Sequence, residues 1–339
     1  MENNLLSIFI PTFNRGHLIG ETLDSFIEQI AKYQIPIIIS DNCSTDDTFS
    51  VVQSYANKYP FIKYSKNTEN LGFDGNVVKM TELVSTKYCW LFGDDDIINK
   101  DAIDSVLRII EYNYDLIVVN ASLNTVDLSN QITYRHLAID NDNLYGVGEK
   151  ERAFLDLVTY SSFIGSLIVK KELWSKVDYK KYLKTGFVHV GITYEYLKEN
   201  SSVYFISKPL VTIRLGNSGW SSNSFEIWYV LWGRAIDSIP NISDQLKKRV
   251  YTNYREITLK RYLIERAKGT YRTDVYKRLI KNDLLINRKT KFLLILILLF
   301  PIPILRFLWK QYLNFKKPPS FEYQLFELNN SISKETNFL

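Results

Sequence analysis

The sequence predicts an α/β protein, a mostly parallel sheet flanked by helices, with an all-helical C-terminal extension. Two observations predict it. Up to residue 122, short apolar runs alternate with stretches of helical periodicity, the pattern of β–α–β units. After about residue 225 the strand-like runs stop and only helical spacing continues.

The elements follow in order. "LLSIFIP" (5–11) is an apolar run closed by proline, as suits a buried parallel strand. "RGHLIGETLDSFIEQIAKY" places Leu18, Thr22, Leu23, Phe26, Ile27 and Ile30 on one side of a helix. "IPIIIS" (35–40) is a second strand. The next helix opens at Ser44 or Thr45, an N-cap signal followed by acids. "FIKYSK" (61–66) is a third strand, and residues 73–84 a third helix. "KYCWLFG" (87–93) is a fourth strand that delivers Asp94, Asp95 and Asp96 at its C-terminal end. A helix over "KDAIDSVLRIIEYN" and a strand at 115–122 complete this half. The middle, 123–224, carries a helix near 149–159, a strand at "SFIGSLIVKK", a helix around 188–199 and two strands, "SVYFIS" and "LVTIRL". The expected organisation is 1–224 as one domain, with halves 1–122 and 123–224, and 225–339 as a helical extension.

At 339 residues, 46% hydrophobic and 23% charged, the chain can bury a large core, and disordered or collagen-like readings are excluded. Two cysteines, Cys43 and Cys89, cannot form a disulfide framework and read as buried thiols. "MENNLLSIFIPTFN" lacks a basic n-region and a long apolar run, so a cytoplasmic protein is expected. Charge is uneven: residues 245–291 hold fifteen Lys/Arg against four Asp/Glu. Nucleic acid is not an expected partner, because no recognition motif accompanies those cations.

Ligands of an open parallel α/β sheet bind beyond the carboxyl ends of its strands. That rule selects "PTFNR", "DNCSTDD", "NTENLGFDGN" and "GDDDI", all rich in hydrogen-bonding groups. Neither GxGxxG after the first strand nor GxxxxGK[ST] occurs, so dinucleotide and P-loop readings lack a phosphate cradle. Three adjacent carboxylates repel one another; they form either a solvated turn or a cation site.

"SIFIPTFNR", "IISDNCSTDDT", "NLGFDGN" and "WLFGDDDIINKDAI", in that order and spacing, resemble the nucleotide-sugar-binding half of family 2 glycosyltransferases, whose GT-A fold is Rossmann-like. The resemblance implies a nucleoside diphosphate sugar donor and Mn2+ or Mg2+, held at a DxD-type motif. It implies metal ligation by Asp95, with Asp96 as a second ligand or bound through water, and places Asp94 at the ribose and Asp41 at the nucleobase edge. Pro11, Thr12, Asn14, Arg15, Asn42, Gly72 and Asn76 line the donor pocket in that scheme. Relatives carry an acid where Gly93 stands. Inverting relatives place a Glu-Asp pair about a hundred residues further on. Here "GFVHVGITYEYLKEN" offers His189 and Glu195 instead, so the base and the stereochemical course stay open. Arg214 and Trp220 in "IRLGNSGWSSNS" occupy the place of a loop that closes over acceptor and diphosphate.

From Phe292 to Leu305 every residue is apolar or proline, flanked by Arg288, Lys289, Lys291, Arg306 and Lys310. That is short of the roughly 20 residues a bilayer span needs and suits an element lying on an anionic membrane surface. A buried helix or a dimer face is the alternative. The loop spellings resemble O-antigen deoxysugar transferases of the abequosyltransferase type. That resemblance implies CDP-abequose as donor, an undecaprenyl-diphosphate-linked glycan as acceptor, and a place at the inner face of the plasma membrane. The rival readings are a non-catalytic nucleotide-sugar-binding scaffold protein and a nucleotidyltransferase.

Overall fold

The computed structural model describes residues 4–217, 221–318 and 320–330. The chain forms two compact units, Met1–Leu215 with Ala235–Val250, and Gly216–Arg234 with Tyr251–Leu339.

In the first unit, β1 (Leu6–Thr12), α1 (Gly16–Tyr33), β2 (Ile37–Asp41), α2 (Thr48–Lys58) and β3 (Ile62–Lys66) follow the expected alternation. Then come α3 (Gly72–Val78), α4 (Met80–Leu83), β4 (Tyr88–Leu91), β5 (Ile97–Ile98), α5 (Ala102–Ile110) and β6 (Leu116–Asn124). The remainder is β7 (Gln131–Thr133), β8 (Asn143–Tyr145), α6 (Lys150–Leu157), β9 (Leu167–Lys170), α7 (Lys171–Trp174), α8 (Val188–Tyr196) and β10 (Val203–Arg214). Along the sheet the order is β3-β2-β1-β4-β9-β6-β10-β5.

Only part of that sheet is parallel. β3, β2, β1 and β4 run parallel, as do β6 and β10. β9 lies antiparallel between β4 and β6, so the expected mostly parallel sheet is a mixed one. Its apolar run "LIV" carries no mark of direction; the neighbours decide it. The two expected strands at 202–215 are one strand, β10, with register shifts between Ile206 and Val211. The expected helix at 73–84 breaks at Lys79, and α2 starts at Thr48 rather than at Ser44 or Thr45. Those two residues are held in the preceding loop by other partners. Cys89 is buried in β4, but Cys43 is only partly buried. It sits past the end of β2 in a left-handed turn with φ 68°.

Both sheet faces are covered. Leu6, Ile8 and Ile10 of β1 join Ile37, Ile39, Trp90 and Val119 in a core closed by Ile19, Leu23 and Phe26 of α1 and Ile103 and Val106 of α5. The alternate residues Phe9, Ile38, Leu91 and Val118 are buried as well, as the two-sided cover of parallel strands requires.

Asp74, in the first turn of α3, ties the two halves of this unit together. Its Oδ2 accepts from the backbone N–H groups of Thr185 and Gly186, each at 2.9 Å, and Oδ1 accepts from Val188 N at 3.1 Å. Thus a carboxylate over a hundred residues away caps the start of α8, where α8's own sequence supplies no side-chain cap. Burial raises the Asp74 carboxyl above its usual range, against the pull of these donors.

The second unit has a core of tyrosines. Phe225, Tyr254, Tyr262, Tyr271 and Tyr276 pack with Val275, Ile280, Ile286, Leu294 and Ile297. Three of the hydroxyls are paired: Tyr262 donates to Tyr254 O at 2.7 Å, Tyr254 to Asp283 at 2.6 Å and Tyr271 to Leu294 O at 3.3 Å. Helices Arg288–Leu299 and Ile302–Lys316 meet at a 94° bend, and no single helix among the described residues is long and apolar enough to cross a membrane. Pro301 and Pro303 account for the break. Leu294, Ile297 and Leu313 face inward. Phe292, Leu299, Phe307 and Phe315 do not, and Phe315 is 83% exposed.

Asp74→Ala should lower unfolding free energy by about 3 kcal/mol, because three backbone donors lose a charged acceptor. Urea denaturation checks this; a loss within error would mean that α8 is capped otherwise.

Candidate active site

The loops at the carboxyl ends of β1, β2 and β3 stand side by side, since Thr12, Asp41 and Lys66 are register partners across the three strands. β4 ends beside Phe9, which brings the acidic turn to the same edge.

Helix α1 holds that turn. Thr22 Oγ1 donates to Asp94 O at 3.2 Å, and Ser25 Oγ accepts from Ile98 N at 3.2 Å. The Gln29 side chain donates to Asn99 O and accepts from Ile103 N. Residues 22, 25 and 29 share one helix face, so the stripe that looked apolar at Thr22 also carries a polar latch. Arg15, at the start of α1, faces the acids with Nε 3.5 Å from Asp94 Oδ1 and an Nη 3.8 Å from Asp95 Oδ2. Burial, then the charge of Asp95, raises the Asp94 carboxyl to about 7, with Arg15 pulling it back. Asp96 is held well above the usual carboxylate range by burial and by Asp95. Without a counter-cation the three cannot all be ionised at neutral pH.

The second loop is rigid. Asp41 is fully buried; its Oδ1 accepts from Ser44 N at 2.8 Å, and Tyr64 donates its hydroxyl to Oδ2. Asn14 lies in the left-handed region at φ 52°. Its N–H donates to Ser44 Oγ, and its Oδ1 accepts from Thr45 N. Asn42 donates to Asn70 Oδ1 at 2.7 Å and accepts from Leu71 N at 2.9 Å. Asn76 accepts from Ser40 Oγ and Asn67 and donates to Ser40 O. Asn42 and Asn76 therefore lace the strand ends together. Gly72 takes φ 70° and donates to Asn70, a backbone conformation for which glycine is favoured. Pro11 and Thr12 end β1 and are buried.

The helix α8 carries His189 and Glu195, six residues and about 240° apart, so the two side chains leave it in different directions. His189 is buried; its Nε2 lies 3.1 Å from Ser162 O. That contact requires the proton on Nε2, leaving Nδ1 as an acceptor, and Nδ1 has no hydrogen-bond partner among the described residues. Phe73 packs edge-on against the ring, and burial lowers the imidazole to about 4. Glu195 Oε2 accepts from Tyr182 at 2.6 Å and pairs with Lys181 at 2.8 Å.

Arg214 ends β10 and is buried. Its Nε donates to Asp95 O at 3.0 Å, Nη1 to Val126 O at 2.9 Å, and Nη2 to Glu21 at 2.6 Å. Its backbone N–H donates to Asp96 Oδ1 at 3.3 Å. Trp220 lies outside the described residues. Sequence reasoning missed Glu21, Tyr64 and Asp74. Each is joined to its partner only through the fold, even Asp74, which stands within the "NLGFDGN" stretch but meets backbone groups over a hundred residues away.

Residues 7–168 match the profile of Glycosyl transferase family 2. The chain is also 33% identical to the abequosyltransferase RfbV of Salmonella typhimurium over 227 residues, 64% of this chain and 68% of that one. The chain belongs to glycosyltransferase family 2. This glycosyltransferase shares the GT-A fold with the crystal structure of Staphylococcus aureus TarS residues 1–349 in complex with UDP, at TM-score 0.56 and 18% identity, covering 86% of each chain. The mannosyltransferase PcManGT of Pyrobaculum calidifontis, in complex with GDP-Man and Mn2+, aligns at TM-score 0.53 and 14% identity over 98% of this chain and 86% of that one.

Among the described residues no group of three His, Cys, Asp or Glu side chains converges into a ready metal cage. The donor set nevertheless fits a divalent cation. Asp95 and Asp96 are adjacent hard oxygen donors in a crowded acidic turn, and Mg2+-like ions are commonly held by one or two carboxylates plus substrate phosphates.

The native state refuses a proton that the unfolded chain accepts at His189, because its imidazole titrates near 4 rather than 6.5. Its contribution to stability is therefore whole above 6.5 and lost as pH falls toward 4. His189→Gln should flatten the melting temperature against pH across that window. An unchanged slope would contradict a buried neutral imidazole.

Proposed function

We propose that this glycosyltransferase moves a hexosyl or deoxyhexosyl group from a nucleoside diphosphate sugar, CDP-abequose first among them, to an undecaprenyl-diphosphate-linked glycan. One observation carries the reading. The Asp94–Asp96 turn and Arg15 stand at the sheet edge beside the Asp41 loop, in a chain 33% identical to an abequosyltransferase. In this reading Asp41 and Tyr64 face the nucleobase, Asp94 the ribose, and Asp95 and Asp96 hold Mn2+ or Mg2+ against the diphosphate. The ion offsets negative charge on the leaving group. Arg15 supplies a second positive charge on the same side.

The two candidate bases on α8 differ in setting: His189 is buried with its imidazole lowered to about 4, and Glu195 is engaged by Tyr182 and Lys181. The one that takes the acceptor hydroxyl proton must be freed to reach it. A panel of CDP-, UDP-, GDP- and dTDP-sugars with Mn2+ or Mg2+ tests the assignment through nucleoside diphosphate release and NMR of the product. CDP-abequose should turn over only with metal. Asp95→Ala should lower kcat/KM by more than about 100-fold, beyond what loss of an outer-shell partner costs. Turnover by Asp95→Ala in the presence of chelator would contradict the metal role.

The outward apolar residues of 288–316, set among Arg288, Lys289, Lys291 and Lys310, support contact with an anionic membrane that carries the acceptor. Each cation near such a surface contributes about 1 kcal/mol. The triple variant Phe292→Ser, Phe307→Ser, Phe315→Ser alters only exposed positions. It should abolish co-sedimentation with phosphatidylglycerol vesicles while keeping the melting temperature. Undiminished sedimentation would sink the membrane reading.

A further inference from the structure

Gly93 is not in the left-handed region, unlike Gly72, Gly148 and Gly186, so backbone conformation does not demand a glycine there. Space does. A Cβ on residue 93 would lie 2.4 Å from Asp96 Oδ2, 3.2 Å from Asp96 Cγ and 3.3 Å from Asp95 Oδ1. The carboxylates of Asp95 and Asp96 thus reach one small volume, and it is the volume that a side chain at 93 would fill.

Asp96 cannot move aside cheaply. It is 4% exposed, and its other oxygen accepts from Arg214 N. The Arg214 guanidinium meanwhile grips the backbone carbonyl of Asp95, Val126 O and the Glu21 carboxylate. One buried arginine therefore joins the end of β10, the β6–β7 loop, α1 and the acidic turn. A planar fork with several fixed donors serves this purpose; a lysine's single ammonium does not.

We infer that Gly93 is the seat of the Asp96 carboxylate, and that Arg214, braced by Glu21, locks it there so that Asp95 and Asp96 converge on one divalent cation. Gly93 and Arg214 are thus positioning residues that act through Asp96. The inference rests on the metal-dependent transferase reading above and adds what sets the geometry of its two carboxylates.

Mn2+ binding, followed by the loss of the free-ion EPR signal with CDP or UDP present, tests it without turnover. Wild type should bind Mn2+. Gly93→Ala should weaken binding at least tenfold, and Arg214→Lys should act in the same direction. In the Asp96→Asn background, adding Gly93→Ala should cost nothing further, because the group it displaces is already neutral. A merely structural lesion at 93 would still add its own cost there. Unchanged Mn2+ affinity in Gly93→Ala, or full additivity with Asp96→Asn, overturns the inference while leaving the metal reading intact. If wild type itself binds no Mn2+ with either nucleotide, the metal reading falls and takes the inference with it. Should Gly93→Ala fail to fold, Arg214→Lys decides alone: wild-type affinity in that variant overturns the clamp.

Discussion

Like-charge crowding at Asp94–Asp96 is the constraint around which the first unit is organised. Three carboxylates on consecutive residues, two of them largely buried, raise one another's proton affinity. Two arginines flank them: Arg15 stands 3.5–3.8 Å from Asp94 and Asp95, and the Arg214 guanidinium meets two backbone carbonyls and Glu21. The turn is thus fixed in position by α1 and β10.

The neighbouring loops work differently. Asn42, Asn67, Asn70 and Asn76 satisfy one another and the strand ends, which makes the floor of the site a closed hydrogen-bond lattice. Such a floor carries Asp41 and the Asn14 turn without needing a ligand to order it. Asp74 extends the same order to α8, so that the helix bearing His189 and Glu195 is registered against the nucleotide half by three backbone hydrogen bonds.

The second unit solves a different problem. Its core is built from buried tyrosine rings, and the hydroxyls of Tyr254, Tyr262 and Tyr271 find carbonyls and Asp283. This leaves the most apolar stretch of the chain, 292–305, only half used in packing. Leu294 and Ile297 point inward, whereas Leu299 is 72% exposed.

Much of this was legible along the chain. Apolar period, proline and strand-end polarity located β1 to β4, α1 and the four loops, because those signals are local. The acidic triplet at the end of β4 was legible for the same reason. What the line of residues could not state was direction and pairing. β9 runs antiparallel because β4 and β6 flank it, not because of its own residues. Ser44 and Thr45 look like helix caps until Asn14, 30 residues away, claims them. Arg214 reads as part of a closing loop until the fold sets it beside Asp95, Val126 and Glu21. By itself the sequence determined the elements, the loops and the family. Tertiary structure alone decided which polar groups are already partnered, and why residue 93 is a glycine, because both depend on volumes and donors that meet only when distant strands pack edge to edge.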